Sequence, residues 1–270
     1  MSVESLRGTN FCDSESGLIQ HWAKSLTMGL ECNTQKAIRL FNFVQDGIKY
    51  SILHDWSETA SQTLERGRGS CSNKATLLAA LLRAVGIPSG FGVLTVDGKR
   101  YFGPMWIPQL QKYCDVDSRH FYNYVHLKGR WLRCDSSDDY RVSLGSGHFN
   151  QPCERVHFDG TQHADLHLAP EHVLERSGLL FDIDRFMLKS TKKPHADFQT
   201  MDRYFDFMRE ARACIPDDGS DHRANMPELI SRLEEGFQRW TSDREKKTVS
   251  VRGVSQLRST VQLENNGELT

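Results

Sequence analysis

The chain has 270 residues, 26% of them charged, and a formal net charge of −1. This balance gives no bulk attraction to nucleic acid or to an anionic membrane surface, so we expect neither as a partner. No apolar run approaches membrane-spanning length. The seven cysteines are scattered without a Cys-x-x-Cys pair, and residues 1–16 lack the apolar run of an export signal. These features predict a reducing, cytoplasmic setting.

Two helices and a shorter one are predicted before residue 67. Apolar residues at helical spacing predict a helix within 17–30, and Asn33 is a suitable cap for a second that ends near Tyr50. Residues 57–66 favour a short helix or turn.

The stretch 67–88 places a cysteine at the start of an apolar helix. Ser70 is a good N-cap, so Cys71 falls in the first turn, while Gly86 and Pro88 end the helix. The helix dipole and the free N–H groups of this turn favour the thiolate form, which makes Cys71 a candidate nucleophile. On this segment alone, a buried structural cysteine is an equally good interpretation.

After this helix, residues 91–96 predict a strand, and Asp97-Gly98 predicts a turn from which 100–102 return. The aromatic-rich loop 103–116, which includes Trp106, connects to the next strand and can shape a cleft. Further along the chain, residues 170–176 and 200–213 predict helices, and 226–240 predicts an amphipathic one.

The stretch 118–135 predicts a β-hairpin, because β-forming residues flank Lys128-Gly129. A two-residue turn at this position pairs Leu127 with Arg130 and fixes every other opposed pair. A three-residue turn would shift the parity of the whole hairpin.

In that register His120 and Asp135 lie on one face as diagonal neighbours, about 7 Å apart at Cβ or somewhat less. A carboxylate there can accept from one imidazole nitrogen and leave the other for a thiol, as in a nucleophilic triad. His126 and His148 are other candidate bases. His126 lies toward the turn, so we expect it to be structural.

The run Gly-Ser-Cys-Ser-Asn-Lys-Ala-Thr-Leu-Leu-Ala-Ala-Leu-Leu-Arg-Ala-Val-Gly-Ile-Pro resembles the nucleophile segment of the transglutaminase-like superfamily. His120 through Asp135 resembles its histidine strand, Gly-x-Trp hairpin and aspartate. Tyr122 fills an aromatic position of the family pattern, but Ser136 stands where the family often has proline. The resemblance extends from near Thr34 to about Met187, and the segment after the aspartate is similar to stand-alone bacterial members.

The resemblance implies an α+β, papain-like fold with helices packed on an antiparallel sheet. It also implies a Cys71, His120 and Asp135 triad. Some family members stabilise the oxyanion with a side chain from the region of Trp56, although a packing role for this indole is the stronger expectation. Trp106 and Tyr122 are the further candidates for oxyanion or substrate contact. The predicted organisation is a flexible N-terminus at 1–16, a catalytic domain at 17–190, a helical extension at 191–240 and a disordered tail at 241–270.

The resemblance further implies a cysteine acyltransferase that takes an acyl group from a small molecule, a peptide or a carrier-protein thioester and passes it to an amine. A peptidase or amidohydrolase with water as acceptor is the first alternative, and an inactive binding module is the second. We expect no cofactor and no metal. No acidic run suggests a calcium site, and the spacing of Cys153, His157, His163 and His167 fits no closed zinc site.

Overall fold

The structure, a computed structural model, describes residues 2–52, 56–101, 106–112, 117–137, 139, 141–142, 155–166, 170–190, 198–210, 227–228 and 230–246. His148, Cys153 and His167 lie outside these residues. The chain separates into two compact units, Met1–Ala224 and Asn225–Thr270.

The first unit combines helices with one antiparallel sheet and a short parallel strand pair. Its helices are α1 (Gly17–Leu26), α2 (Asn33–Gly47), α3 (Ala60–Arg66), α4 (Cys71–Ala84), α5 (Gly98–Tyr101), α6 (Pro108–Gln111), α7 (Asp184–Ser190) and α8 (Phe198–Glu210). Its strands are β1 (Lys49–Tyr50), β2 (Arg68–Gly69), β3 (Ser89–Asp97), β4 (Asp117–Leu127), β5 (Arg130–Cys134) and β6 (Val173–Arg176).

The four-stranded sheet has the order β5-β4-β3-β6 with antiparallel neighbours throughout. The predicted hairpin is confirmed, because Leu127 pairs with Arg130 across the two-residue turn. Lys128 and Gly129 have φ angles of 48° and 78°, the positive values that a type I′ turn requires. The register that places His120 and Asp135 on one face is therefore present.

Two predicted elements differ from the structure, and both concern the edges of β3. Residues 170–176 were expected to be helical but form a short 3₁₀ turn followed by β6, which pairs with β3. Residues 100–102 were expected to return as a strand, whereas Gly98–Tyr101 is a helical turn. Since β4 and β6 already occupy both edges of β3, no edge remains for a returning strand.

The core is built around α4, whose residues from Ser72 to Arg83 are buried. Lys74 is fully buried in it, and its Nζ donates to the carbonyl oxygens of Gln45 at 3.2 Å and Ile48 at 2.8 Å. These carbonyls belong to the C-terminal end of α2, which has no intrahelical donors for them. The ammonium group therefore ties the end of α2 to the first turns of α4.

The N-terminal residues, for which the sequence predicts a flexible segment, contact distant parts of the first unit. Thr9 Oγ1 and the Asn10 backbone N–H donate to the Asp184 carboxylate at 2.8 and 2.9 Å, and Cys12 is only 1% exposed. The partner lies far along the chain in α7, so the polar composition of residues 1–16 could not reveal this packing.

The helix α8, which falls within the predicted helical extension at 191–240, belongs to the first compact unit. Phe205 of α8 packs edge-on against Tyr50, with ring centroids 5.0 Å apart. In the second unit, residues 230–246 are helical, so the helix extends past the predicted end at 240. The remainder of the predicted tail lies outside the described residues. Within the described part of the chain, no helix combines the length and apolarity needed to cross a membrane.

Candidate active site

Cys71 is the first residue of α4, and its surroundings fix the start of this helix. The Ser70 side chain caps the backbone N–H of Asn73, and the Asn73 side chain caps the backbone N–H of Ser70 at 3.1 Å. A Cβ at Gly69 would lie 2.7 Å from the Asn73 Cβ, so only glycine lets the loop pass this close. The Cys71 side chain is half-buried. The backbone N–H groups of this first turn have no intrahelical acceptor, which makes the Cys71 N–H a candidate oxyanion donor.

His120 and Asp135 form a buried pair beside this thiol. His120 Nε2 and Asp135 Oδ2 are 2.5 Å apart, and the two residues are 4% and 3% exposed. The second ring nitrogen, Nδ1, remains for the Cys71 thiol, which hydrogen-bonds to the imidazole. The arrangement has the order nucleophile, base and orienting carboxylate that a cysteine triad needs.

The charges of the pair follow from these contacts. Burial lowers the pKa of His120, but the Asp135 carboxylate and the Cys71 sulfur outweigh burial and raise this pKa to about 10. Burial likewise raises the pKa of Asp135, but His120 and two hydrogen bonds from Ser137 outweigh it, and the net shift is downward. Both groups are therefore charged at neutral pH.

The three residues meet just beyond the end of the pairing between β4 and β5. β5 pairs with β4 only as far as Asn123 and Cys134, whereas β4 continues to Asp117 along β3. Within the described part of the chain, residues 117–122 of β4 thus pair with no strand on their β5 side. The Cys71 Sγ lies 4.0 Å from the Arg119 carbonyl oxygen, and the chain continuing from β5 brings Asp135 to the same edge.

The other described thiols and histidines lie elsewhere. Cys12 and Cys134 are buried, and burial raises the pKa of both thiols, that of Cys12 to about 12. Cys32 is exposed and caps α2. His126 packs edge-on against Trp131, and six residues of strand, about 20 Å, separate it from His120. The structure thus keeps His126 away from Cys71.

Of the three aromatic candidates, Trp106 has a packing role. It is 4% exposed, and its ring lies 5.6 Å from that of Tyr204 and 5.0 Å from that of Phe205, both in α8. This burial agrees with a packing role, and a substrate contact by Trp106 stays a prediction. Sequence alone could not show this burial, because the partner helix lies about a hundred residues away.

Trp56 lies near the first turn of α4, since its carbonyl oxygen accepts from Asn73 Nδ2 at 3.2 Å. Its ring lies 6.4 Å from that of Phe198. These contacts agree with a packing role, and oxyanion stabilisation by the indole stays a prediction. Tyr122 bonds through its hydroxyl to Tyr124 and Arg176. These partners lie in β4 and β6, and no described contact joins the buried Tyr122 ring to Cys71.

The sequence interpretation missed Ser137, whose backbone N–H and hydroxyl donate to Asp135 Oδ1 at 3.0 and 2.5 Å. Together with His120 on Oδ2, these bonds satisfy the buried carboxylate. The signal was present, because an Asp followed two residues later by Ser commonly forms such a turn. Among the described residues, no group of His, Cys, Asp and Glu has the arrangement of a metal site.

Residues 20–136 match the family model of the Transglutaminase-like superfamily. This segment is less than half of the chain, and it contains all three residues of the candidate site.

Two solved structures are similar to part of the chain. One is named "Putative Cysteine Protease from Cytophaga hutchinsonii", with 18% identity, a TM-score of 0.40, and coverage of 50% of this chain and 41% of that one. The other is named "Putative Protease from Parabacteroides distasonis", with 16% identity, a TM-score of 0.31, and coverage of 48% and 24%. The chain thus spans less than half the length of either structure. No curated protein matches it.

Proposed function

We propose that this protein is a cysteine acyltransferase that carries the acyl group on Cys71 and delivers it to an amine. The observation that carries the proposal is the buried His120–Asp135 pair, which leaves the second imidazole nitrogen for the thiol at the start of α4. The similarity of residues 20–136 to the Transglutaminase-like superfamily, whose members are generally cysteine-dependent enzymes, supports the same chemistry.

In the first half-reaction, the Cys71 thiolate attacks the acyl carbon of an amide or thioester donor. The carbonyl oxygen takes up the electron pair and accepts hydrogen bonds from the Cys71 backbone N–H. His120, as imidazolium, gives its Nδ1 proton to the leaving amine or thiol as the tetrahedral intermediate collapses. The products are a Cys71 thioester and the protonated leaving group.

In the second half-reaction, an amine attacks the thioester carbon and His120 takes the amine proton. Collapse expels the Cys71 thiolate, which restores the starting ion pair and releases an amide. Asp135 keeps its charge throughout, because its role is to hold the imidazole orientation and to stabilise the imidazolium.

A hydrolase differs from this scheme only in the acceptor. The half-buried state of Cys71 favours this second candidate, since water can reach a thioester that is not fully enclosed. We propose that the acyl donor is a small molecule, a peptide or a carrier-protein thioester.

The test is intact-mass spectrometry of the full chain with short acyl-N-acetylcysteamine thioesters. We expect a mass gain of one acyl group on Cys71, located by peptide mapping, and its rapid loss when glycinamide is added, with release of the acyl-glycinamide. Cys32→Ser is the matched control, because it removes an exposed thiol and keeps the site.

Decay of the thioester at the same rate with and without an amine would assign the protein to the hydrolases. Absence of any gain on Cys71, in folded protein and across thioester and amide donors, would contradict both activities and favour a binding module.

A further inference from the structure

The sheet places an arginine in line with the candidate base. Leu94 of β3 is directly opposed to His120 of β4 on one side and to Arg176 of β6 on the other. Directly opposed residues of antiparallel strands share a face of the sheet. Arg176 therefore lies on the face of His120, two strands away, or about 10 Å between Cα atoms.

Tyr122, two residues after His120 on β4, reaches Arg176 because the residue opposed to it on β3 has no side chain. It is directly opposed to Gly92, where a Cβ would overlap the phenol ring. The ring thus crosses over β3 to reach β6. There Arg176 donates to the Tyr122 hydroxyl at 3.2 Å, and its guanidinium lies 5.6 Å from the ring centroid.

The hydroxyls extend this contact along β4. Burial, followed by the bond with Tyr124, raises the pKa of Tyr122 to about 12 although Arg176 lowers it, so the phenol stays protonated. Its oxygen accepts from Arg176, and its proton can serve Tyr124, whose hydroxyl is 3.3 Å away. Tyr124 is only half-buried, which leaves its own hydroxyl proton available at the surface.

The charge of Arg176 is not neutralised by the described part of the chain. Arg176 is exposed, and none of the described carboxylates forms an ion pair with it. Arg133, on the neighbouring part of the same sheet, shows the opposite case. Its guanidinium is bonded at two positions by the Asp165 carboxylate, at 2.7 to 3.0 Å. A guanidinium that contacts a buried tyrosine and has no partner among the described carboxylates suits an anionic oxygen group.

We propose that Arg176, supported by Tyr122 and Tyr124, binds an anionic group of the acyl donor, a carboxylate or a phosphate. The Cα atom of Arg176 lies about 10 Å from that of His120, the candidate base. This anion subsite rests on the proposed function, because it would hold the donor whose acyl group is transferred to Cys71.

A graded series of alkylating reagents tests the subsite without any turnover. Each reagent is an iodoacetyl group joined by methylene spacers of increasing length to a carboxylate, a phosphonate or a neutral carboxamide. The rate on Cys71 is measured for each, and the carboxamide of equal length reports the reactivity of the thiol itself. We expect the anionic reagents to react about fivefold faster than the amide at one preferred spacer length. The carboxylate and phosphonate arms show which anion fits better.

The selectivity ratio is the rate of the anionic reagent divided by that of the carboxamide of equal length. Arg176→Gln should bring this ratio close to one. Tyr122→Phe should lower it, because the guanidinium loses its hydroxyl partner. Arg176→Lys should retain a ratio above one but lose the preference for a single spacer length, because an ammonium lacks the planar fork. Arg130→Gln is the matched control. It removes the same charge from an exposed arginine that bonds to the Thr161 carbonyl oxygen at the hairpin.

A ratio of one at every spacer length in the wild-type protein overturns the subsite. An equal loss in Arg130→Gln and Arg176→Gln also overturns it, since general electrostatics then explains the effect. These results are separate from those of the acyl-enzyme experiment. If the protein forms the Cys71 thioester but the ratio is one at every spacer length, only the subsite is contradicted. If the ratio exceeds one at a preferred length but no thioester forms, only the transferase activity is contradicted.

Discussion

Arg209 of α8 donates through Nε to the Asp139 carboxylate at 2.8 Å, four residues after Asp135. The same guanidinium donates to the Tyr50 carbonyl oxygen and to Asp206. A helix outside the segment that matches the superfamily thus holds the chain that leaves the candidate site. Burial raises the pKa of Asp139, but Arg209 and Lys74 outweigh it, so the carboxylate is charged.

Arg209→Met is therefore expected to lower the free energy of unfolding by about 3–5 kcal/mol, because it leaves Asp139 charged and buried without its main partner. The side chains of this pair are 7% and 10% exposed. Urea unfolding followed by circular dichroism measures the change. Arg232→Met is the control, since its pair with Glu228 is about half exposed on both sides and should contribute about 0–1 kcal/mol. Equal effects of the two substitutions would contradict a structural role for Arg209.

The candidate triad makes a prediction about substitutions. Cys71→Ala and His120→Ala should each lower kcat/KM by about 10⁴-fold or more, and the double variant should be no worse than either, because the residues act as a unit. Asp135→Asn should retain a trace, about 10²–10⁴-fold below wild type, since it keeps a hydrogen-bond acceptor but loses the charge. His126→Ala is the matched control and should stay near wild type. A loss in this control equal to that of His120→Ala, with the fold intact, would show that the base is misassigned.

The raised pKa of His120 predicts how stability depends on pH. Its folded-state pKa of about 10 exceeds the ordinary value of 6.5, so protonation stabilises the folded state. This contribution is complete below about pH 6.5 and is lost as the pH rises through about 10. The difference in unfolding free energy between wild type and His120→Gln should therefore shrink steadily from pH 6 to pH 10. Urea titrations across this range measure it, and a difference that grows toward alkaline pH would refute the charged imidazole.

The four described thiols should react in a fixed order. Limiting iodoacetamide at pH 6 to 7 should label Cys71 first, because a thiol beside an imidazolium at a helix N-terminus is the most nucleophilic. Exposed Cys32 should follow, and buried Cys12 and Cys134 should react only after unfolding. Peptide mapping gives the order of labelling. In His120→Gln, the alkylation rate of Cys71 should fall to about that of Cys32. Labelling of Cys114 or Cys153 ahead of Cys71 would contradict the assignment.

Features set by neighbouring residues could be predicted from the sequence. The start of α4 follows from the cap at Ser70, and the hairpin register follows from the two-residue turn at Lys128-Gly129. Together these two local signals indicate Cys71 as the nucleophile and His120 with Asp135 as its partners. Each depends on a few consecutive residues, so each is visible without any knowledge of the fold.

Features set by distant partners could not be predicted. β6 is a strand because β3 offers it an edge, and the same residues in isolation suggest a helix. The N-terminal segment is held by Asp184, and Trp106 is covered by α8. In each case the deciding contact joins parts of the chain that no local pattern relates.

The residue type at position 92 restricts the residue type at position 122, on the neighbouring strand. Because a Cβ at Gly92 would overlap the ring of Tyr122, a homologue with a side chain at position 92 cannot keep a tyrosine in this conformation. Arg176 would then lose the ring and the hydroxyl that hold it. Positions 92, 122 and 176, on three different strands, should consequently change together during divergence. Such covariation would separate homologues that share the nucleophile but differ in the charge of the donor they accept.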